Sequence, residues 1–110
     1  MKIKPKYDIE IVHEAIESGN YYVHQSVLRQ IKNDFGWRGR DLITFFLKLI
    51  VKKHFYKQMP MKKKPPYDYY GERPAIYDVY KSNDIMDEKV YTHFYFNEDQ
   101  LIIDSLHKQD

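Results

Sequence analysis

The segment Val90–Phe96 carries the side chains of this sequence that are best suited to proton transfer. It reads Val-Tyr-Thr-His-Phe-Tyr-Phe. Side chains alternate between the two faces of a strand, so Tyr91, His93 and Tyr95 share one face and the four residues between and around them share the other. Phenol and imidazole groups can donate, accept or shuttle protons. The segment therefore predicts a strand with one core face and one face equipped for acid–base chemistry.

Three further segments predict neighbouring strands that extend this face: His54–Met59, Ile76–Lys81 and Leu101–Lys108. From them, Lys57, Tyr77 and His107 are expected to join Tyr91, His93 and Tyr95, and Lys108 is a further candidate. RNA cleavage without a metal needs a base for the 2′-hydroxyl proton, cations beside the phosphorane and an acid for the leaving 5′-oxygen. These residue types meet that need. The alternative is that each of them packs in the sheet or protects a strand edge.

The same residues argue against metal or cofactor chemistry. The predicted face has no acidic cluster with metal-ligand spacing, and the five histidines are scattered along the chain. The absence of cysteine removes thiol catalysis, disulfides and cysteine zinc sites. We therefore predict no metal site and no small-molecule cofactor, and a two-metal nuclease is disfavoured.

The charge is unevenly distributed and indicates a polyanionic partner. Residues 1–64 contain 14 lysines and arginines against 6 aspartates and glutamates, whereas residues 65–110 contain 4 against 10. A basic half favours binding of nucleic acid, although the two halves could also neutralise each other in the fold. A segment rich in proline, lysine and tyrosine, residues 60–74, predicts a long loop. The expected RNA-binding residues are Lys62, Lys63, Lys64, Tyr67, Arg73 and Lys81.

Helices precede these strands. Asp8 is predicted to cap a first helix that runs to about Ser18. Ser26 is predicted to cap a second helix, and a third helix is predicted to begin near Gly39. Tyr21–His24 is predicted to be a short extended piece. Helices followed by a run of four strands indicate an α+β domain, with the helices on one face of an antiparallel sheet.

The length of 110 residues suits a single domain. Its expected parts are a mainly helical region, residues 1–51, and a mainly antiparallel sheet, residues 52–108. The basic N-terminus lacks the apolar run of a signal peptide, and no segment has the ~18 apolar residues of a membrane span. A cytoplasmic protein without membrane contact is therefore expected.

Several short motifs resemble the motility quorum-sensing regulator (MqsR) family of bacterial toxins. They are Phe55-Tyr56-Lys57-Gln58-Met59, Tyr77-Asp78-Val79-Tyr80-Lys81, Val90-Tyr91 and Leu101-Ile102-Ile103 with Ser105-Leu106-His107-Lys108. The resemblance covers nearly the whole chain. It implies a RelE-like fold with N-terminal helices on one face of a twisted antiparallel sheet. It also implies a toxin of a type II toxin–antitoxin pair that cuts mRNA without a metal at short sequence motifs and is silenced by a cognate antitoxin protein.

The family's active-site residues are carried over position by position. Its Phe-Tyr-Lys lysine matches Lys57 and its Val-Tyr tyrosine matches Tyr91. Its glutamine before Asp-Val-Tyr is replaced by Tyr77, and a further lysine is replaced by His93. Its C-terminal lysine falls on His107 or Lys108, depending on a one-residue gap near Asp104.

The resulting prediction is an mRNA endoribonuclease with catalytic residues Lys57, Tyr77, Tyr91, His93, His107 and Lys108. The alternative is a non-catalytic module, derived from such a toxin, that binds RNA or an antitoxin. The replacement of the family's glutamine by Tyr77 favours this alternative. A DNA-binding helix-turn-helix is a weaker third hypothesis, because the third predicted helix is too apolar to read bases.

Overall fold

The computed structural model describes residues 3–60 and 76–109, and it has the α+β class predicted from the sequence. The described helices are α1 (Ile9–Ser18), α2 (Gln25–Phe35), α3 (Gly39–Leu47) and the short α4 (Val51–His54). Asp8 caps α1 as predicted, since its carboxylate accepts the N–H of Glu10 at 2.9 Å. The prediction that Ser26 caps α2 is wrong, because that helix already begins at Gln25 and His24 is its N-cap residue.

The described strands are β1 (Tyr21–Val23), β2 (Phe55–Pro60), β3 (Ile76–Ile85), β4 (Glu88–Asn97) and β5 (Gln100–Lys108). They form one sheet in the order β1-β5-β4-β3-β2. Strands β2 to β5 pair antiparallel, as predicted. The expectation of a purely antiparallel sheet is wrong, because Tyr21–Val23 pairs parallel with Leu101–Ile103 and makes the sheet mixed.

The helices cover one face of the sheet. Val12 and Ile16 of α1, Ile31 of α2 and Phe46 of α3 pack in one cluster with the inward side chains of the strands, such as Phe94. Phe46 and Phe94 are fully buried, and their rings meet edge to face with centroids 5.8 Å apart. The predicted core face of β4 therefore lies under the helices, which leaves Tyr91 and His93 on the opposite face.

The segment before α1 crosses the sheet at β3 and is held there by one buried carboxylate. Asp78 is fully buried, and its two oxygens accept the backbone N–H groups of Lys6 at 2.8 Å and Tyr7 at 2.9 Å. The phenol of Tyr7 donates to the carbonyl of Ile76 at 2.8 Å. Burial raises the pKa of Asp78, and the two N–H donors oppose that rise.

A β-bulge in β5 shifts the alternation of its side chains. His93 lies opposite Ser105, but the next residue of β4, Phe94, lies opposite Ile103, so Asp104 has no partner across the strand pair. Leu101 and Ile103 are buried in the core before the bulge, and Leu106 is buried in it again after the bulge. Strict alternation from Ile103 would instead have put His107 on the core face. The bulge therefore brings His107 to the face that carries Tyr91.

Gly19 ends α1 in the left-handed conformation, with φ of 77°, and its N–H bonds back to the helix. No atom lies within 4 Å of a Cβ built at this position, so replacing Gly19 by alanine changes the backbone preference alone. We expect Gly19→Ala to lower the free energy of unfolding by about 1 kcal/mol in urea denaturation. Gly39→Ala is the matched control, because Gly39 has equal space without a left-handed backbone. Equal losses in the two variants would contradict this explanation.

Candidate active site

The face of the sheet opposite the helices carries a row of three side chains that could act on a phosphodiester. Lys81 of β3 lies opposite Tyr91 of β4, which in turn lies opposite His107 of β5. Directly opposed residues have Cβ atoms about 4.5–5.5 Å apart. The rings of Tyr91 and His107 are stacked, with centroids 4.8 Å apart and planes at 20°. A cation, a phenol and an imidazole thus stand side by side.

His107 presents one ring nitrogen away from the backbone. Its Nδ1 lies 2.9 Å from the carbonyl oxygen of Lys108. A carbonyl only accepts hydrogen bonds, so Nδ1 carries a proton and donates it. The nitrogen that remains able to take or release a proton is Nε2.

The next row across the sheet places His93 between β3 and β5. Val79 and Ser105 lie opposite it, and Lys57 of β2 lies opposite Val79. The hydroxyl of Tyr91 and Nδ1 of His93 are 2.9 Å apart, so the two rows are joined by a hydrogen bond. His93 is well enclosed, with 16% of its side chain exposed.

The carboxylate of Asp104, the residue of the bulge without a cross-strand partner, contacts polar groups of β3, of β4 and of the residue that follows β1. The phenol of Tyr77 donates to its Oδ2. Nε2 of His93 lies 3.8 Å from Oδ2, and Nε2 of His24, at the end of β1, lies 3.3 Å from Oδ1. His93 is the largest cause of a lowered pKa of Asp104, with Tyr77 and His24 adding to it against the effect of burial. Asp104 is therefore ionised at neutral pH.

The pKa of Tyr91 is raised, because burial disfavours the phenolate. Tyr91 therefore stays protonated at neutral pH and cannot serve as a base by itself. It can only accept a proton if it gives up its own at the same time, and Nδ1 of His93 lies within hydrogen-bond distance to receive that proton.

Tyr56 brings the two lysines of the face together. It lies at an irregularity in the pairing of β2 with β3 and is 54% exposed. The ammonium nitrogen of Lys81 is 4.0 Å from the centre of its ring, and that of Lys57 is 5.5 Å from it. Both cations can interact with the ring face. The two lysines differ in their distance from β4. Lys81 lies directly opposite Tyr91, whereas Lys57 is separated from His93 by Val79 of β3.

Lys108, also predicted to be catalytic, lies on the other face of the sheet. Lys108 is opposite Val90, a core residue, and therefore lies on the helix side of the sheet, where its N–H donates to Asp34 at 2.8 Å. Tyr77 is on the Tyr91 face but is only 8% exposed, because it packs with Tyr95 and Ile102, and its phenol donates to Asp104. Lys62, Lys63, Lys64, Tyr67 and Arg73 lie outside the described residues.

Sequence reasoning missed Asp104 and His24 as site residues. A signal for Asp104 was present, since the apolar alternation of Leu101 and Ile103 resumes out of phase at Leu106, and a carboxylate at the break indicates a bulge. His24 had no such signal. It reaches Asp104 only because β1 pairs with β5, and a strand of three residues has too few side chains for alternation to reveal it.

A groove of about 600 Å³ adjoins His107 between α2 and β5. Gln30 and Asp34 line it from the helix, and Ser105 and His107 line it from the strand. The groove therefore lies beside His107, one of the two stacked rings.

Within residues 3–60 and 76–109, no three histidine, aspartate or glutamate side chains are arranged to hold a metal ion. In the same part of the chain, no helix has the length and apolar character needed to cross a bilayer. Comparison with models of known protein families and with curated proteins finds no match for this chain. The resemblance of its motifs to the toxin family thus stays a prediction.

Proposed function

We propose that the protein is a metal-independent endoribonuclease, the toxin of a type II toxin–antitoxin pair, that inhibits translation by cutting mRNA at short sequence motifs. The observation that carries this proposal is the row of Lys81, Tyr91 and His107, joined to His93 by the hydrogen bond of Tyr91. A cognate antitoxin protein would be its partner, and the cytoplasm its location. We also propose that the helices and the sheet have the arrangement of the RelE-like fold.

The chemistry is in-line attack of the 2′-oxygen on the adjacent phosphorus. Tyr91 and His93 handle the proton of the 2′-hydroxyl group. Lys81 and Lys57 stabilise the charge that develops on the phosphorane, and His107 protonates the leaving 5′-oxygen through Nε2. Each well-placed acid or base contributes about 10²–10⁴ in rate.

The alternative function is binding of RNA or of an antitoxin without cleavage. Tyr77, which stands where the resemblance implies a glutamine, favours this alternative. Its phenol is committed to Asp104 and it is 8% exposed, so it has little surface to offer a substrate. In this case the lysines and the exposed ring of Tyr56 would hold a single strand by phosphate contacts and stacking.

RNA cleavage by the wild-type protein and by Lys57→Ala distinguishes an endoribonuclease from a protein that only binds RNA or an antitoxin. We expect the purified protein to cut a structured mRNA in the presence of EDTA and to leave 2′,3′-cyclic phosphate ends. Because Lys57 stabilises phosphorane charge, the variant should cut at least ~10-fold more slowly at the same positions. The measurement is mapping of the 5′ and 3′ ends of the products over time.

Lys52→Ala is the matched control, because Lys52 is an exposed lysine of α4 and does not belong to either row of opposed residues. It should cut at the wild-type rate. Cleavage that survives unchanged in Lys57→Ala would remove Lys57 from the site. Absence of cleavage by the folded wild-type protein, together with RNA binding that weakens steeply with salt, would support the binding function instead.

A further inference from the structure

The carboxylate of Asp104 touches no substrate in the reaction above, yet it is the centre of the polar contacts on this face. Tyr77 and His93 approach Oδ2, and His24 approaches Oδ1. The side chain is 26% exposed, so most of it is removed from solvent. Because of the β-bulge, Asp104 has no cross-strand partner in β4, and its carboxylate lies 3.8 Å from Nε2 of His93.

The position of Asp104 bears on which nitrogen of His93 is protonated. A neutral imidazole carries one N–H and one acceptor nitrogen, and an ionised carboxylate only accepts. Nε2 of His93 lies 3.8 Å from Oδ2. This is an ion-pair distance rather than a hydrogen bond, so the carboxylate acts through its negative field. That field favours the proton on Nε2.

The protonation of His93 then decides the direction of its bond to Tyr91. With the proton on Nε2, Nδ1 is an acceptor, and the phenol of Tyr91 donates to it across 2.9 Å. With the proton on Nδ1, the bond would be reversed, and His93 would donate to the phenol oxygen. Only the first arrangement lets His93 receive a proton through Tyr91.

We propose, resting on the function proposed above, that Asp104 is a positioning residue that keeps the proton of neutral His93 on Nε2. Tyr91 can then take the 2′-hydroxyl proton of RNA while it passes its own proton to Nδ1 of His93. His24 and Tyr77 hold the two oxygens of Asp104 and so set the direction of the carboxylate. The proton-accepting group of the reaction is thus the pair of Tyr91 and His93, which Asp104 orients.

The step balances without a further reactant. A bond forms between the 2′-oxygen and phosphorus, and the bond from phosphorus to the 5′-oxygen breaks. The 2′-hydroxyl proton moves to Tyr91, and the phenol proton moves to Nδ1 of His93. His107 enters the step as imidazolium, with protons on both ring nitrogens, and gives the proton on Nε2 to the 5′-oxygen. The products are a 2′,3′-cyclic phosphate, a 5′-hydroxyl, imidazolium at His93 and neutral His107. Proton exchange with water restores both histidines.

The test reads the tautomer of His93 directly. Long-range ¹H–¹⁵N correlation spectra of ¹⁵N-histidine-labelled protein, recorded where the histidines are neutral, distinguish the Nε2–H from the Nδ1–H form. We expect the Nε2–H form for wild-type His93 and a shift toward the Nδ1–H form in Asp104→Asn and Asp104→Ala. His54 is an internal reference, because its Nδ1 accepts the N–H of Ile50 at 3.0 Å and its tautomer should not change.

Kinetics separate positioning from a general loss of structure. We expect kcat for RNA cleavage to fall by about 10²–10³-fold in Asp104→Asn, with KM changed less than ~3-fold, because Asp104 acts on the proton acceptor. Asp41→Asn is the matched control. Its carboxylate accepts the backbone N–H of Arg38 at 2.9 Å in the first turn of α3, outside the candidate site. This variant should keep the wild-type tautomer and kcat.

Each outcome has a definite meaning. An unchanged His93 tautomer in both Asp104 variants, or the Nδ1–H form already in the wild-type protein, would overturn the positioning role. A shifted tautomer in a protein that cuts no RNA would uphold the role of Asp104 on His93 and reject the proposed function. A shifted tautomer with the expected fall in kcat would support both.

Discussion

Replacing Tyr91 by phenylalanine is expected to slow RNA cleavage by about 10²–10⁴-fold, the range that a positioned acid or base contributes. The variant removes only the hydroxyl group, which lies 2.9 Å from Nδ1 of His93. Without it, the proton of the 2′-hydroxyl group has no path to His93. The ring stacked on His107 remains, so the substrate surface is nearly unchanged.

The measurement is the single-turnover cleavage rate in EDTA, accompanied by thermal unfolding. Loss of one partly exposed hydrogen bond should lower the free energy of unfolding by only ~1 kcal/mol. Tyr21→Phe is the control, because Tyr21 packs against the core on the helix side of the sheet. Full activity of Tyr91→Phe, or equal toxicity when the variant and the parent are induced in bacteria, would exclude Tyr91 from proton transfer.

Asp78→Ala is expected to have the largest effect on stability, lowering the free energy of unfolding by about 2–4 kcal/mol. Its fully buried carboxylate accepts the N–H groups of Lys6 and Tyr7, and the alanine leaves both donors without their acceptor. Tyr7 packs against Phe96, with ring centroids 5.3 Å apart, so releasing this segment also uncovers apolar surface.

Urea denaturation checks the size of this loss, and Gln58→Ala provides the comparison. Gln58 also ties the N-terminal segment to the sheet, through one bond of 2.7 Å to the carbonyl of Lys4, but that bond is exposed and uncharged. Its loss should cost less than ~1 kcal/mol. Similar losses in the two variants would mean that Asp78 does not anchor the segment.

Much of the sheet could be predicted because alternation is a local signal. Val90 and Phe94 on one face of β4 are buried, whereas Tyr91 and His93 on the other face are partly exposed. The alternation of residue types along Val90–Phe96 predicted this difference. The helix cap at Asp8 could be predicted for the same reason, since a cap depends on neighbours in the chain. The parallel pairing of Tyr21–Val23 with Leu101–Ile103 joins residues 80 positions apart, and no local pattern encodes it.

The arrangement of the side chains in the candidate site could be predicted only in part. Sequence reasoning left His107 and Lys108 as alternatives, because it could not place a one-residue shift near Asp104. The bulge at Asp104 puts His107 beside Tyr91 and Lys108 on the helix side. Lys81 was expected to bind RNA, but only the register reveals that it lies directly opposite Tyr91. Contacts between strands depend on register, which residue types alone do not fix.

The short parallel pairing of β1 has a consequence for the order in which the molecule opens and closes. Strands β3, β4 and β5 follow one another through tight connections, whereas β1 joins β5 across about 80 residues of chain through three residue pairs. Closing so long a loop costs conformational entropy, and three residue pairs offset little of that cost. We therefore expect β1 to dock late in folding and to detach early in native-state fluctuations. Detachment would carry His24 away from Asp104 while Tyr91, His93 and His107 stayed on their paired strands. The molecule would then visit a short-lived form in which the row of Lys81, Tyr91 and His107 is intact and the carboxylate of Asp104 has lost its contact with His24.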